Sequence, residues 1–324
     1  MSIVLVGDTS GNSDEGMKIV SRKLSAAFNT AGLSSFVWSP IQLLKNYKRL
    51  KNVSVVHFTA GPSYKTLIVA WIISLLNLCR HKTIISFIHP KKSLLLILLL
   101  RFVRIHGVTV HSEYWHNELK NLMSGPCYSG PLMGFDDQKF VKGDEKEARL
   151  LKAELGFSHT EKIALHVGHL NRGRNLQALI TFAARSKYRL VIVASSTVEA
   201  DLHLKAELEN ADAVVINEYI QNIEKIYQAS DVYLFPTIDE DYCIQIPLSV
   251  LEASACHIPV ISTKFGGLPW YFNKDQIYFV NRIDEFDFDP NLLKVPDREY
   301  LNEFTWEQIS KQLLCYYREL GADI

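Results

Sequence analysis

The stretch Pro236 to Pro269, PTIDEDYCIQIPLSVLEASACHIPVISTKFGGLP, decides how the chain is read. It begins where the apolar run Asp231-Val-Tyr-Leu-Phe235 ends, crosses an acidic loop, enters a helix over Leu248 to Cys256 and returns as a strand over Pro259 to Ser262. A strand, helix, strand crossover places its loops at the carboxyl ends of the strands, where open α/β sheets hold ligands. Glu252 falls in the first turns of the helix, and the backbone N–H groups from about Ile246 to Ser249 lie at its positive end. Such a helix start favours phosphate, and a carboxylate beside it can accept hydrogen bonds from sugar hydroxyls. One Glu taken alone is more simply a solvated carboxylate on an amphipathic helix.

Outward from this crossover the same alternation repeats. Strands are expected at Ser2 to Val6, Ser34 to Trp38, Val53 to Phe58, Thr83 to Ile88 and Val108 to His111, with helical stretches between them. Strands at Ile163 to Val167, Arg189 to Ala194 and Ala213 to Ile216 lead up to the central crossover. This pattern predicts α/β architecture with doubly wound parallel sheets. At 324 residues, 48% of them hydrophobic, the chain exceeds one domain of ordinary size, and two are expected. We take 1–140 as the first domain, 141–303 as the second and an amphipathic helix within 304–324 as a closing element.

A net charge of zero hides an asymmetry. Residues 1–133 hold 15 Lys+Arg against 5 Asp+Glu, so this part carries +10 and the remainder −10. A basic half suits nucleic acid, an anionic membrane or an anionic substrate. No zinc spacing, aromatic RNA-binding pattern or helix-turn-helix accompanies the cations, and nucleic acid is not an expected partner. The apolar runs Thr66 to Cys79 and Ser93 to Leu100 fall short of the roughly 18 to 20 residues that span a bilayer. They are bracketed by Arg80, His81, Lys82, Lys91, Lys92, Arg101 and Arg104, as in helices that rest on a membrane surface. Five scattered cysteines, and no secretory leader before Ile3, fit a reducing compartment. The expectation is a cytoplasmic protein that meets the inner face of an anionic membrane peripherally.

Polar groups gather in the strand-end loops. Gly7 to Gly16 follows the first strand, and its glycines, Gly11 among them, let the backbone approach a ligand. The loop does not match G-x-G-x-x-G, which leaves a dinucleotide reading weak. His89, followed by Pro90, leaves the fourth strand at its carboxyl end. In Gly168-His-Leu-Asn-Arg-Gly-Arg174, His169 and Arg174 stand between strand and helix, where two cations suit a pyrophosphate.

LEASACHIPVISTKFGG is similar to the EA-A-G-PV-A-GG signature of glycosyltransferase family 4, the retaining nucleotide-sugar glycosyltransferases of GT-B fold. The Gly7 to Gly16 loop, Gly134-Phe-Asp-Asp-Gln-Lys-Phe140, Gly168 to Arg174 and Asn217 to Asp231 resemble further family segments in chain order. The resemblance implies two Rossmann-like doubly wound domains facing a cleft. It also implies transfer of a sugar from a nucleoside-diphosphate sugar to a hydroxyl, with retention and without a metal or other cofactor. The acceptor would be a glycan or a lipid-linked molecule. By the same resemblance, His89 and the Gly11 loop attend the reacting sugar, where Gln245, beside the position of the family's missing acid, could still hydrogen-bond a sugar hydroxyl. His169 and Arg174, with the helix start at Ile246, Pro247 and Leu248, hold the diphosphate. Glu252 takes the ribose, Tyr219 and Ile220 face the base, and Gly266 and Gly267 permit close approach to the sugar or its phosphate.

The chain departs from the family's Glu-x7-Glu pair. Ile244 stands eight residues before Glu252 and Gln245 seven before, while Asp239, Glu240 and Asp241 offer charge from an enlarged loop. Trp270 stands where Gly-Gly-x-Pro-Glu places an acid. The departure keeps a second reading open, a catalytically degenerate GT-B module that binds a nucleotide sugar or a partner protein. A GT-B epimerase or phosphorylase is a third, without a lysine-bound cofactor signature to support it.

Overall fold

The computed structural model describes residues 2–7, 16–75, 81–91, 93–101, 103–123, 125–195, 198–285 and 293–324, with backbone alone at 16, 17 and 94. The first sheet consists of β1 (Ser2–Val6), β2 (Ser34–Trp38), β3 (Val53–Phe58), β4 (Lys82–Phe87), β5 (Gly107–Val110) and β6 (Cys127–Ser129). The second consists of β7 (Lys162–Gly168), β8 (Tyr188–Ala194), β9 (Val214–Ile216), β10 (Val232–Phe235), β11 (Val260–Thr263) and β12 (Tyr278–Val280). Their orders are β2-β1-β3-β4-β5-β6 and β12-β11-β10-β7-β8-β9. All pairings are parallel. Strands such as VSVVHF and VYLF are β-branched and aromatic and buried along nearly their whole length, as strands covered on both faces by helices must be.

Helical crossovers supply that cover. The helix Gly16–Thr30 buries Val20, Leu24 and Phe28, spaced at i, i+4 and i+8 on one face. The chain divides into one unit of Met1–Gly134, Ile244–Ile246 and Trp306–Ile324 and another of Phe135–Cys243 and Pro247–Thr305. The first hand-over of this division falls at 134/135. Buried Phe135 bridges to Thr305, and its N–H donates to Phe304 O at 3.0 Å. Among the described residues no helix is long and apolar enough to cross a membrane.

The closing helix Trp306–Glu319 belongs to the first unit through a buried polar relay. Tyr317 Oη lies 2.6 Å from His57 Nδ1, His57 Nε2 lies 2.5 Å from Ser86 Oγ, and Thr109 Oγ1 donates to Ser86 Oγ at 2.8 Å. One chain of hydrogen bonds therefore ties the last helix to β3, β4 and β5. Nearby, Tyr316 Oη lies 3.1 Å from both Val108 O and Pro126 O. Burial, assisted by neighbouring His111, lowers the His57 pKa to about 3, and burial also lowers His111 to about 3 against the hydrogen bond to Gly130 O.

Both histidines fold as neutral groups, so the unfolded chain binds more protons once the pH drops below its ordinary value of 6.5. Their stabilisation is complete above that value and is lost as pH falls towards 3, at roughly 1.4 kcal/mol per pH unit for each titrating histidine. Thermal unfolding followed by circular dichroism between pH 7.5 and about pH 4.5 is expected to show a falling midpoint. His57→Gln, which cannot titrate, is expected to flatten that fall; an equally steep fall in the variant would remove His57 from the account.

Candidate functional site

The order of the second sheet reverses between β7 and β10, and at such switch points the crossover helices diverge and open a crevice. β7 and β10 pair in parallel with Ala164 opposite Val232 and Leu165 opposite Tyr233, so their carboxyl ends, Gly168 and Phe235, emerge together. The turn after β7 is fixed to the loop after β10. Asn175, in the left-handed region at φ 57°, donates through Nδ2 to Pro236 O at 3.1 Å. The Arg174 N–H donates to Asn171 Oδ1 at 3.1 Å, and the Arg174 carbonyl accepts from Thr237 Oγ1 at 3.4 Å.

This fastening holds Arg174 in an unusual setting. The residue is only 7% exposed, Nε has no hydrogen-bond partner among the described residues, and no carboxylate lies within ion-pairing distance of it there. A buried cation without an anion carries a large desolvation cost. Beside it is His166, fully buried, whose Nδ1 lies 2.9 Å from Leu234 O. That carbonyl can only accept, so Nδ1 carries the proton and Nε2 offers its lone pair, which has no partner among the described residues. Burial first, with Arg174 adding to it, lowers the His166 pKa to about 3. A Cβ on Gly168 would stand 3.1 Å from His166 Nε2 and 3.3 Å from Arg174 Nη1, so both groups flank one point that glycine leaves open.

Glu252 is joined to this centre through two tyrosines. Its Oε2 accepts from Tyr227 Oη at 3.0 Å. The rings of Tyr227 and Tyr233 are 5.9 Å apart, and those of Tyr233 and His166 6.2 Å. Tyr233 Oη donates to Val167 O at 3.2 Å and lies 2.7 Å from Ser249 Oγ, which ties β10 to β7 and to the helix Leu248–Ala255. Burial, with Glu252 next in weight, holds the Tyr227 hydroxyl well above its ordinary range, so it acts as a donor. Arg298 closes the other end of the helix, with Nη1 reaching Ala255 O at 3.4 Å and Phe140 O at 3.2 Å. The expectation of amide donors from about Ile246 to Ser249 needs one correction: Pro247 stands at the N-cap, and proline has no N–H to offer.

The remaining sequence-derived residues fall in several places. His169 is half-buried directly after β7. Gly266, in the left-handed region at φ 51°, and Gly267 follow β11, the neighbour of β10. Exposed Tyr219 and half-buried Ile220 follow β9, which β8 separates from β7. Asp239 accepts from the Asp241 N–H at 2.9 Å and so stabilises its own turn. In the first unit, Gln245 and Ile246 are fully buried, and the Gln245 N–H donates to Ile88 O at 2.8 Å, one residue before half-buried His89. The Ile88 N–H donates in turn to Gly61 O at 3.1 Å. His89 and Gln245, far apart in sequence, are thereby brought to adjacent backbone positions. Gly11 lies outside the described residues.

Sequence reasoning missed His166, Tyr227, Tyr233 and Ser249. For His166 and Tyr233 the available signal was an imidazole and a phenol inside otherwise apolar strands, where each needs a polar partner.

Residues 147–286 match the family model described as glycosyl transferases group 1. Relatives include the D-inositol 3-phosphate glycosyltransferase of Segniliparus rotundus, 27% identical over 212 residues that cover 57% of this chain and 45% of that protein. The N-acetyl-alpha-D-glucosaminyl L-malate synthase of Bacillus anthracis is 27% identical over 139 residues, 41% of this chain and 35% of that one. The chain therefore spans less than half the length of these two relatives. Among solved structures, the sucrose-phosphate synthase of Thermosynechococcus elongatus superposes with a TM-score of 0.77 at 18% identity, covering 99% of both chains. HepE of Anabaena, solved in complex with UDP and glucose, gives 0.74 at 14% identity over 98% of this chain and 100% of that one. The fold is GT-B, the two six-stranded parallel sheets of these glycosyltransferases.

A buried cation with no carboxylate partner among the described residues makes a specific statement about stability. Replacing Arg174 by methionine, similar in length and uncharged, is expected to stabilise the ligand-free protein by about 1–3 kcal/mol, since the desolvation cost disappears and no ion pair is lost. A urea titration of both proteins measures this; a destabilised variant would mean that Arg174 has a structural partner.

Proposed function

We propose that this chain, whose residues 147–286 match glycosyl transferases group 1, is a glycosyltransferase that moves a sugar from a nucleoside-diphosphate sugar to an acceptor hydroxyl with retention at the anomeric carbon. The observation that carries this reading is buried Arg174 at the β7/β10 switch point, without a carboxylate among the described residues. A diphosphate would satisfy it with charge-assisted hydrogen bonds. Solved neighbours in complex with UDP and glucose or with UDP-glucose support a donor of this class.

In the proposed reaction the acceptor oxygen bonds to the anomeric carbon while the bond from that carbon to the diphosphate oxygen breaks. The hydroxyl proton passes to the departing diphosphate. Charge therefore grows on the diphosphate as an oxocarbenium-like centre develops, and a preorganised cation stabilises that change more than it stabilises the ground state. Arg174, His169 and the N–H groups of Leu248 and Ser249 take the diphosphate, so that a divalent ion is not required. Glu252, oriented by Tyr227, takes the ribose hydroxyls, and Tyr219 and Ile220 meet the base. His89 and Gln245 attend the reacting sugar, together with the Gly11 loop. The acceptor is a glycan or lipid-linked hydroxyl presented at the inner face of a membrane, in glycan or glycolipid assembly.

One observation favours a second reading. Ile244 and Gln245 stand where the family motif has its first acid, and Asp239 is engaged in its own turn. A module that binds the donor without transferring it would tolerate both.

Incubation with a panel of nucleotide sugars, with and without EDTA, and detection of released nucleotide distinguishes the two. The enzyme reading expects turnover with at least one donor, insensitive to chelation, and an axial or equatorial product linkage matching the donor by NMR. Donor binding without turnover would establish the module instead. Arg174→Ala is expected to weaken donor binding by about 1.5–3 kcal/mol in calorimetry; unchanged affinity would remove Arg174 from the site.

A further inference from the structure

The first unit presents an apolar surface that its own fold leaves uncovered. On the helix Tyr64–Leu75, the side chains of Tyr64, Ile68, Trp71 and Leu75 are all exposed, Ile68 by 53% and Leu75 by 62%. At about 100° per residue these four fall within roughly 60° of arc, a single stripe along the helix. The opposite face is accounted for, since Leu67, Ala70 and Ile73 are buried. The neighbouring helix Leu94–Leu100 adds Leu95 and Leu98, exposed by 58% and 43%. The two helices start side by side, because Tyr64 Oη lies 2.9 Å from Ser93 Oγ, the N-cap of the second.

Lys65 stands on the first of these helices, and Lys91, Arg101 and Arg104 flank the second along the chain, all of them exposed. Their surroundings hold no compensating sequence: residues 16–112 contain 14 Lys+Arg and no Asp or Glu. Protein interfaces are depleted in Lys and read their partners through many hydrogen bonds. This stripe offers Trp71 Nε1 and little else to read with. Aliphatic and aromatic side chains on one stripe, rimmed by long cationic ones, suit a lipid surface. The 12 described residues of this helix extend about 18 Å, less than the hydrocarbon layer, a length that suits lying in its boundary.

We propose that the face built by Tyr64–Leu75 and Leu94–Leu100 docks on an anionic bilayer, with Ile68, Trp71, Leu75, Leu95 and Leu98 in the headgroup boundary and the surrounding Lys and Arg side chains on lipid phosphates. This goes beyond the transferase reading and does not rest on it, since docking is measured without any donor.

The test is co-sedimentation of the full chain with vesicles of phosphatidylcholine alone or enriched in phosphatidylglycerol. Wild type is expected to partition at least about tenfold more strongly onto the anionic vesicles, with a large loss near 1 M salt, where the Debye length is about 3 Å. Ile68→Glu/Trp71→Glu is expected to lower that binding about tenfold or more, and so is Lys91→Glu/Arg101→Glu, a second variant confined to the cationic rim. Circular dichroism and thermal midpoints of both variants establish that they are folded. Failure of folded wild type to bind anionic vesicles at low salt would overturn the proposal. So would binding that survives either double substitution in a folded variant. Self-association in sedimentation velocity that Ile68→Glu/Trp71→Glu abolishes, without vesicle binding by wild type, would assign the face to a protein contact and likewise overturn it.

Discussion

Parallel pairing forces every strand of a sheet to end at the same edge, and a helix must return the chain to the opposite edge before the next strand begins. All polar loops of a unit therefore gather along one line, however far apart they lie in sequence. In the second unit the reversal of order between β7 and β10 splits the flanking helices at one place along that line. Arg174, Gly168, Asn175, Pro236 and Thr237 meet there because the topology leaves them no other position. In the first unit the corresponding reversal lies between β1 and β3, where Gly7 and Thr59 emerge. A Cβ on Gly7 would stand 2.1 Å from Ser21 Oγ, which itself lies 2.7 Å from Thr59 Oγ1.

On this frame the protein places polar groups that a purely stable fold would avoid. Arg174 is buried without a counter-charge among the described residues, and His166 keeps an unshared lone pair beside it. The contrast with His57 is instructive. Also fully buried, it has both ring nitrogens engaged, by Tyr317 and Ser86, and serves to anchor the closing helix. One imidazole completes a structure, while the other borders an open point above Gly168. Satisfied polar networks rigidify a fold, whereas a buried polar group left without a partner costs free energy.

Much of this was legible in the sequence. Val53–Phe58 has the bounds that its β-branched run predicts, because an almost fully buried parallel strand admits few polar residues. β6 and β12 escaped notice, whereas β9, equally short and also at a sheet edge, was legible from its unbroken β-branched run Val214–Ile216. Arg174 could be placed from its spacing to Gly168, but its burial could not, because that depends on how the turn is fastened to Pro236 and Thr237. The adjacency of Gln245 and His89 was equally invisible. It arises from a backbone hydrogen bond to Ile88 across more than 150 residues of sequence. Charge asymmetry was readable as a sum, whereas its arrangement around the stripe Tyr64, Ile68, Trp71 and Leu75 required the helix to be built.

The central claim is that the buried guanidinium of Arg174 exists to receive a diphosphate. Phosphorus NMR of UDP, ADP and GDP, each titrated with wild-type protein and with a folded Arg174→Met variant, addresses it at the atoms concerned. The account expects one of these nucleotides to show both phosphorus resonances shifted and broadened by wild type, with the perturbation of both lost in the variant. Equal perturbation by the two proteins, or a wild type that perturbs none of the three, would contradict it.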